Sequence, residues 1–312
     1  MREEVHHPPG DLLRELTCVA PEVRERLVVR FGVGVLAWCD ELPALVSRLA
    51  ARWNLDPDTA GGGGTSRVFR CIKRDTGTPV WLKLTPDPLI AREEAEALHV
   101  WAMTPSVVTL LVQDLAAGAL LLDAVEPGEQ VRERAWNLSE VAALLRDLRI
   151  PSPPVDGRSV VRPLTHRINF VFDLTGRRLA ASGVNPPAVS ATLLKARATA
   201  QELAAGGPAG LVHGDLHPAN VLSGPGGRMV AIDPRPAWGD PDFDTVDWIL
   251  DNTTDQTMLD SKIAELAARV PGMSPHRVLS WCRALAPVIA IPRICAGRDD
   301  AQTRFLTDLA RH

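Results

Sequence analysis

The hydrophobic pattern of the first fifty residues has the spacing of an α-helix. Apolar residues recur three and four positions apart between residues 22 and 53, and the clearest stripe runs from Leu42 to Leu49. Proline is tolerated in the first turn of a helix, so we expect a helix to start near Pro43. The pattern predicts one or two amphipathic helices whose role is to cap a lobe.

After residue 66 the pattern changes to the alternation that is typical of β-strands. Strands are predicted at 67–73, 79–84, 107–115 and 119–122. A turn at 75–78 joins the first two into a hairpin, and an earlier strand near the glycine-rich segment would complete a five-stranded sheet. Helical spacing returns over residues 90–103, between the second and third of these strands.

The second half of the chain is predicted to be mainly helical. Pro127 and Gly128 interrupt the pattern within residues 123–128, which indicates a hinge. Helices are expected after it at 132–148, 164–181, 185–206, 260–270, 275–289 and 299–311. The sequence therefore predicts an α+β fold with a β-rich N-terminal lobe over residues 1–122 and a mainly helical C-terminal lobe over residues 123–312.

Composition and charge argue against nucleic acid and membranes as partners. The chain has 312 residues, 46% of them hydrophobic, and a net charge of −4, so it can bury a large core but offers no basic field for nucleic acid. No apolar run has the length of a membrane helix, and the N-terminus lacks a signal-peptide core, so we expect a cytoplasmic protein without a membrane partner. The five cysteines are odd in number and form no CxxC, which predicts free thiols rather than disulfides or a zinc site.

The strongest candidate for chemistry is the polar loop within residues 211–233, LVHGDLHPANVLSGPGGRMVAID. His213-Gly214-Asp215 is followed five residues later by Asn220, and Asp233 closes the strand-like run before it. Protein kinases have H-R-D, an asparagine five residues after that aspartate, and a second aspartate at a strand end. The pattern predicts Asp215 as catalytic base, Asn220 and Asp233 as ligands of Mg²⁺, and ATP as the phosphate donor. A polar loop without chemistry is the alternative.

A turn at residues 223–228 should fold the two strand-like pieces of this loop into a hairpin. That hairpin would bring Asp233 back beside Asn220.

A second group of candidates lies around the first predicted hairpin. The glycine run that includes Gly63 and Gly64 would let backbone amides approach phosphate oxygens, although a flexible linker has a similar composition. Lys83 lies in an apolar strand and is predicted to reach the nucleotide phosphates, the alternative being an edge lysine in solvent. One of the glutamates at 93, 94 and 96 should pair with it, and the other two are expected in solvent. Backbone groups near Ala124 and Val125 would meet the adenine edge, so ATP is expected between the lobes.

An acidic segment follows Asp233. Aspartates at 244, 247, 251 and 255 would share one face of a helix, where like charges favour a cationic partner. Asp240, Asp244, Asp247 and Asp251 are therefore candidates for binding a cationic substrate. For the first two of these and Asp242, capping or bracing of the loop is an equal alternative, and for Asp247, Asp251 and Asp255 simple solvent exposure is one.

At these residues the chain resembles the aminoglycoside phosphotransferase family, small-molecule kinases related in fold to protein kinases. HGDLHPAN followed by IDP carries the resemblance, and the runs IDPRPAWGDPDFD and FGVGVLAWCDELPALVSRLAARWNL are similar to its streptomycin 6-kinase and hydroxyurea phosphotransferase branch. The resemblance implies a two-lobe protein-kinase-like fold and assigns Ser66 to the nucleotide phosphates and Glu94 to Lys83. It also implies phosphorylation of streptomycin, with a role in antibiotic resistance.

Three departures from protein kinases point to a small-molecule acceptor. Gly214 replaces the arginine of H-R-D, Pro234-Arg235 replaces Phe-Gly, and no A-P-E segment follows. We expect a monomer or weak dimer that acts on a small, cationic molecule. The alternatives are hydroxyurea or another small metabolite as acceptor, and a nucleotide-binding pseudokinase that serves as a scaffold.

Overall fold

The computed structural model describes residues 9–62, 66–150, 159–183 and 187–311. Proximity along the backbone divides the chain into two compact units. One unit comprises Met1–Ala95 with Val108–Ala124, and the other comprises Glu96–Val107 with Val125–His312. The lobe boundary expected between residues 122 and 123 stays a prediction.

The first unit is built from helices and one antiparallel sheet. Its N-terminal helices are α1 (Pro9–Thr17), α2 (Pro21–Phe31) and α3 (Val35–Arg52). Its strands are β1 (Leu55–Gly61), β2 (Arg67–Lys73), β3 (Pro79–Leu84), β4 (Leu110–Asp114) and β5 (Ala119–Asp123). They pair in the order β1-β2-β3-β5-β4, so the predicted five-stranded sheet is confirmed, and β2 and β3 have the predicted bounds. Between β3 and β4 the chain forms α4 (Pro88–Val100), where a helix was predicted over 90–103.

The core of the first unit joins α3 to the sheet. Leu42 and Val46 of α3 are fully buried in one cluster with Phe69 and Leu82 of the strands. The stripe that predicted the helix is therefore the face that packs. The expectation that a helix starts near Pro43 is wrong, because α3 begins at Val35 and Pro43 lies inside it.

The second unit is mainly helical, as predicted. Its helices are α5 (Leu138–Leu148), α6 (Leu164–Ala181), α7 (Pro187–Gly206), α8 (Val246–Leu250), α9 (Gln256–Arg269), α10 (Pro275–Cys295) and α11 (Ala301–Leu309). The described residues of this unit also form the short strands β6 (Gly210–Val212), β7 (Val221–Ser223), β8 (Met229–Ala231) and β9 (Ala237–Gly239). The chain between β7 and β8 turns at Pro225–Gly227, and the two strands form the predicted hairpin. The strand β6 pairs with β9 instead, also antiparallel.

One helix of the second unit starts later than predicted. The expected helix over residues 132–148 is a short 3₁₀ turn at Val131–Glu133 followed by α5, which begins only at Leu138. Asn137 ends the irregular stretch because its side chain accepts hydrogen bonds from the first free backbone amides of α5.

The helix α10 is long and apolar enough to cross a membrane by length and composition alone, with a mean hydropathy of 1.4 in its most apolar window. Half of that window is buried inside the protein, and Val278, Trp281 and Ala286 are fully enclosed. This packing is that of a core helix.

Candidate active site

The β7–β8 hairpin brings the two predicted magnesium ligands together. Val221 pairs with Ala231, and the amide of Ile232 donates to the backbone oxygen of Asn220 at 2.9 Å. Asp233, the next residue, therefore leaves the hairpin beside Asn220. The local prediction of a hairpin that returns Asp233 to Asn220 is confirmed.

Asp215 is held from two sides, and its carboxylate still reaches solvent. The side-chain amide of Asn220 donates to the backbone oxygen of Asp215 at 3.0 Å and to its Oδ2 at 3.2 Å. The guanidinium of Arg167 donates to Oδ1 at 2.7 Å. The Asp215 side chain keeps 32% of its surface exposed, so an incoming hydroxyl group can approach it.

Gly214 and Asp244 fix the loop around Asp215. Gly214 has φ +77°, and a Cβ there would lie 2.1 Å from the backbone oxygen of Arg235. Only glycine fits this conformation and this close approach. The buried carboxylate of Asp244 accepts the backbone amides of His213 at 2.6 Å and of Gly214 at 2.9 Å. Desolvation raises the pKa of Asp244 to about 7, although both hydrogen bonds favour its charged form.

His213 lies beneath the loop as a buried imidazole. Its ring stacks on Trp101 with 6.2 Å between centroids, and its Nε2 lies 3.1 Å from the backbone oxygen of Ile232. Desolvation lowers its pKa to about 4, so the ring is neutral near pH 7. Its contacts make it a brace of the loop.

Asp233 has a backbone conformation that is uncommon for a residue with a side chain. Its φ is +54°, and its carboxylate is 34% exposed and lies 3.2 Å from the guanidinium of Arg235. A positive φ at a non-glycine residue is more frequent at ligand-binding and catalytic positions. The position and exposure of Asp233 suit a group that binds an ion.

The first unit contains the predicted lysine–glutamate pair. Lys83 Nζ lies 2.6 Å from both carboxylate oxygens of Glu94, and the two side chains are 5% and 1% exposed. The prediction that the other nearby glutamates lie in solvent is wrong. Glu93 is buried, and Glu96 accepts hydrogen bonds from the Ser159 hydroxyl and the Val160 amide.

The other predicted nucleotide contacts are only partly covered by the structure. Gly63 and Gly64 lie outside the described residues. Ser66 is buried directly before β2. Ala124 follows β5 and donates its amide to Asp123 at 3.1 Å, and Val125 comes next in the chain. Their nucleotide-binding roles stay predictions.

The acidic segment does not form the single helical face that the sequence predicted. The helix α8 ends at Leu250, Asp251 is its C-terminal cap, and Asp255 instead caps α9 by accepting the amide of Met258. Because the chain leaves the helical path after α8, the four carboxylates cannot lie in one row.

Two of the predicted substrate residues have partners inside the protein. Asp240 is fully buried and accepts hydrogen bonds from Arg277 and from the indole of Trp281 at 2.8 Å. Asp244 binds the loop amides described above. A substrate contact by Asp240 and Asp244 is therefore corrected to the alternative of bracing, because their oxygens are already used.

Asp247 is the carboxylate of this segment that remains available. It is exposed to solvent and forms no hydrogen bond or ion pair through its side chain within residues 9–62, 66–150, 159–183 and 187–311. Desolvation by the surrounding protein nevertheless raises its pKa to about 6, with His217, Asp215 and Arg167 as charged neighbours. The Asp247 side chain is therefore open to solvent and close to other charged groups of the second unit.

A cavity of about 660 Å³ lies in the second unit beside the 3₁₀ turn that ends at Asn220. Its lining includes Trp136, His217, Asp251, Asn252 and Lys262. The Lys262 ammonium donates to the backbone oxygens of Ile249 and Asp251, which holds the end of α8. The cavity therefore combines an aromatic wall with a carboxylate and several hydrogen-bonding groups.

Sequence reasoning missed Arg167, His217 and Trp136. Arg167 lies 48 positions before Asp215, and no local pattern connects them. His217 stands within the quoted motif, where its side chain accepts the amide of Ala219 at 3.3 Å and so starts the 3₁₀ turn. An aromatic residue just before a capped helix was the available signal for Trp136, but it does not distinguish a cavity wall from core.

Comparison with known proteins places this geometry in a family. Residues 52–292 match the family described as aminoglycoside/hydroxyurea antibiotic resistance kinase. A streptomycin 6-kinase of Streptomyces glaucescens is 29% identical over 272 residues, which cover 80% of this chain and 82% of that protein. A hydroxyurea phosphotransferase of Kitasatospora aureofaciens is 30% identical over 241 residues, covering 74% of this chain and 68% of that protein.

Solved structures show the same fold at low sequence identity. Choline kinase LicA from Streptococcus pneumoniae superposes with a TM-score of 0.59 at 13% identity, over 86% of this chain and 98% of that one. The streptomycin-ATP-APH(2")-IIa ternary complex superposes with a TM-score of 0.53 at 14% identity, over 86% of this chain and 96% of that one. The predicted α+β, two-lobe protein-kinase-like fold and the family resemblance are confirmed. The chain belongs to the aminoglycoside/hydroxyurea antibiotic resistance kinase family and is a phosphotransferase.

Proposed function

We propose that this protein transfers the γ-phosphate of ATP to a hydroxyl group of streptomycin. The observation that carries the proposal is the cluster of Asp215, Asn220 and Asp233 at the open end of the β7–β8 hairpin, where Asn220 donates a hydrogen bond to Asp215 at 3.2 Å. A streptomycin 6-kinase aligned over four fifths of this chain supports the choice of acceptor.

Asp215 orients the acceptor in this mechanism. Its partly exposed carboxylate accepts a hydrogen bond from the attacking hydroxyl and aims the oxygen in line with the transferring phosphoryl group. The transition state of phosphoryl transfer is loose, so correct placement contributes more than strong basicity.

Asn220 and Asp233 have the donor set that suits Mg²⁺. The amide nitrogen of Asn220 faces Asp215, which leaves its oxygen Oδ1 for another partner, and the carboxylate of Asp233 is partly exposed beside it. Magnesium prefers oxygen ligands and takes several of them from phosphates and water, so two protein ligands suffice. When bound, the ion supplies positive charge that neutralises the transferring group.

Lys83, in the first unit, is the protein's own positive charge for the phosphates of ATP. Glu94 holds its ammonium in a buried position, which prepares it for the α and β phosphates. The glycine run assigns Gly63 and Gly64 to the phosphates, and the family resemblance adds Ser66. The position of Ala124 and Val125 after β5 assigns their backbone groups to the adenine edge.

Asp247 and Asp251 are assigned to the cationic part of the acceptor. Asp247 is exposed without a partner in the described part of the chain, and Asp251 lines the cavity beside His217. Streptomycin has guanidinium groups, and a carboxylate that lacks an internal partner can bind them through paired hydrogen bonds.

Hydroxyurea is the second candidate acceptor because a hydroxyurea phosphotransferase is 30% identical to this chain. Hydroxyurea has no cationic group, so it could not form an ion pair with the exposed carboxylate of Asp247. A pseudokinase scaffold is disfavoured because the residues expected for turnover are all present.

The test is phosphate transfer from ATP with Mg²⁺ to streptomycin, a deoxystreptamine aminoglycoside, a viomycin-type peptide and hydroxyurea. We expect turnover on streptomycin and only a small residual rate with Asp215→Asn, which keeps the size of the side chain and removes its charge. Turnover of hydroxyurea alone would show that the proposed acceptor is wrong and that the kinase assignment is right. If all four compounds fail while ATP still binds in calorimetry, the assigned acceptor class is wrong.

A further inference from the structure

Arg167 lies in the first turns of α6, at the end of the helix that packs against β9. The amide of Trp238 donates to the backbone oxygen of Arg162 at 2.9 Å, and Pro163 forms a parallel bridge with Trp238. At Gly239 a Cβ would come within 2.5 Å of the Leu164 side chain, so the helix approaches the strand closely. Since β9 pairs with β6, which leads into His213, the first turn of α6 is fixed relative to the Asp215 loop.

The guanidinium of Arg167 binds two parts of the same loop. Its Nε donates to the backbone oxygen of Gly214 at 2.7 Å, and its Nη2 donates to Asp215 Oδ1 at 2.7 Å. The side chain is 14% exposed, and its charged group lies 5.6 Å from the ring centre of Phe170. One rigid, planar group therefore fixes both the backbone before Asp215 and the rotamer of its carboxylate.

An arginine could not reach Asp215 from within the motif. Residue 214 must be glycine, because φ is +77° and a Cβ would lie 2.1 Å from the oxygen of Arg235. The H-R-D pattern of protein kinases has an arginine at that position. In this chain a guanidinium arrives beside the aspartate from a separate helix.

We propose that Arg167 is a positioning residue for phosphoryl transfer, acting through Asp215. The inference rests on the proposed function, in which Asp215 orients the acceptor hydroxyl. Arg167 holds Oδ1 while Asn220 holds Oδ2, so the carboxylate plane is set and one lone pair on each oxygen stays open for the acceptor. The role predicts an effect on turnover and little effect on ATP binding.

The experiment compares Arg167→Met and Arg167→Lys with the wild-type protein in steady-state kinetics. For Arg167→Met we expect kcat to fall about 100-fold with an unchanged KM for ATP, since a small misplacement of a catalytic group can have an effect of that size. Arg167→Lys keeps the charge but can satisfy only one acceptor well, so it should recover part of the loss. Arg197→Met is the matched control, because Arg197 binds α6 through Asp173 and Asn169 without approaching Asp215.

Combination with Asp215→Asn separates positioning from a general structural role. If Arg167 acts through Asp215, adding Arg167→Met to Asp215→Asn should lower the residual turnover little further. An equal loss in both backgrounds would overturn the inference, as would full turnover in both single variants. If Arg167→Met does not fold, as judged by its melting curve, Arg167→Lys alone decides: a lower kcat with intact ATP affinity supports the role.

Failure of the inference differs from failure of the proposed function. If Asp215→Asn loses nearly all turnover while the Arg167 variants stay fully active, the kinase assignment holds and Arg167 has no role in positioning Asp215. Fully active Asp215→Asn would remove the proposed role of Asp215, and Arg167 would lose its role with it.

Discussion

His213 is a buried imidazole whose contacts determine which nitrogen carries the proton. The oxygen of Ile232 can only accept, so Nε2 donates to it at 3.1 Å, and Nδ1 accepts the amide of Asp215 at 3.4 Å. A proton on Nδ1 would face an amide donor. The neutral ring therefore satisfies the loop, and desolvation lowers its pKa to about 4.

His213 should make the protein less stable in mild acid. The unfolded chain binds a proton near pH 6.5 and the folded chain only near pH 4, so stability present above pH 6.5 is lost as pH falls through that window. The shift corresponds to roughly 3 kcal/mol. Denaturant unfolding from pH 4 to pH 7 should show this slope in the wild type and a smaller one in His213→Gln.

The wild type must be compared with His213→Gln because Asp244 has the opposite effect on the pH dependence of stability. Its pKa is raised to about 7, so its contribution weakens stability as pH rises from about 4 to 7. The difference between wild type and His213→Gln cancels that contribution. Equal pH slopes in both proteins would contradict the assignment of a buried neutral His213.

At the scale of the element, the start of α5 is set by a capping box that the periodicity did not reveal. The Asn137 side chain accepts the amides of Ser139 at 3.0 Å and Glu140 at 3.1 Å, and Glu140 accepts the Asn137 amide at 3.0 Å. The spacing N-x-x-E was visible in the sequence. Hydrophobic spacing alone placed the helix start six residues too early, at 132 instead of 138.

Removal of this cap should destabilise the second unit. We expect Asn137→Ala to lower the free energy of unfolding by about 1 kcal/mol, because two backbone amides lose their acceptor. Asn137→Ser keeps a side-chain oxygen that can accept these amides and places no second carboxylate against Glu140, which accepts the Asn137 side-chain amide at 3.0 Å, so it should retain most of the stability. Thermal and denaturant unfolding of both variants check the difference, and equal losses would show that the cap contributes little.

The elements that the sequence predicted well are those defined by neighbours along the chain. The bounds of β2, β3 and α6 and the β7–β8 hairpin follow from alternation, helical spacing and turn residues. The kinase template predicts a glutamate partner for Lys83, the family resemblance selects Glu94, and the structure has that pair.

The predictions that failed depend on contacts between distant segments. Glu96 was expected in solvent, but Ser159 and Val160 bind it from far along the chain. The acidic face failed because its helix ends at Leu250, and Arg167 was missed because its partner lies on another element. Periodicity reports which face of an element is apolar and does not report what that face meets.

At the scale of the whole molecule, the charge is mildly negative, at −4 for 312 residues. Most of the acidic residues around Asp240 are bound by arginines or by backbone amides, which leaves Asp247 as an exposed carboxylate without an internal partner in the part of the chain that the structure describes. A cationic acceptor would be attracted by the overall charge and bound by Asp247 together with Asp251 of the cavity.

Asp247→Asn should raise the KM for streptomycin about tenfold, equivalent to roughly 1.4 kcal/mol of lost binding, and leave the KM for ATP unchanged. The kcat/KM of the wild type for streptomycin should fall as salt rises, because salt screens exposed charges. The variant should show a flatter dependence. Asp299→Asn is the control, because it also removes one negative charge, from an 84% exposed side chain in the loop before α11. It should match the wild type in both measurements. A steep salt dependence that persists in Asp247→Asn would assign acceptor attraction to the total charge of the protein instead.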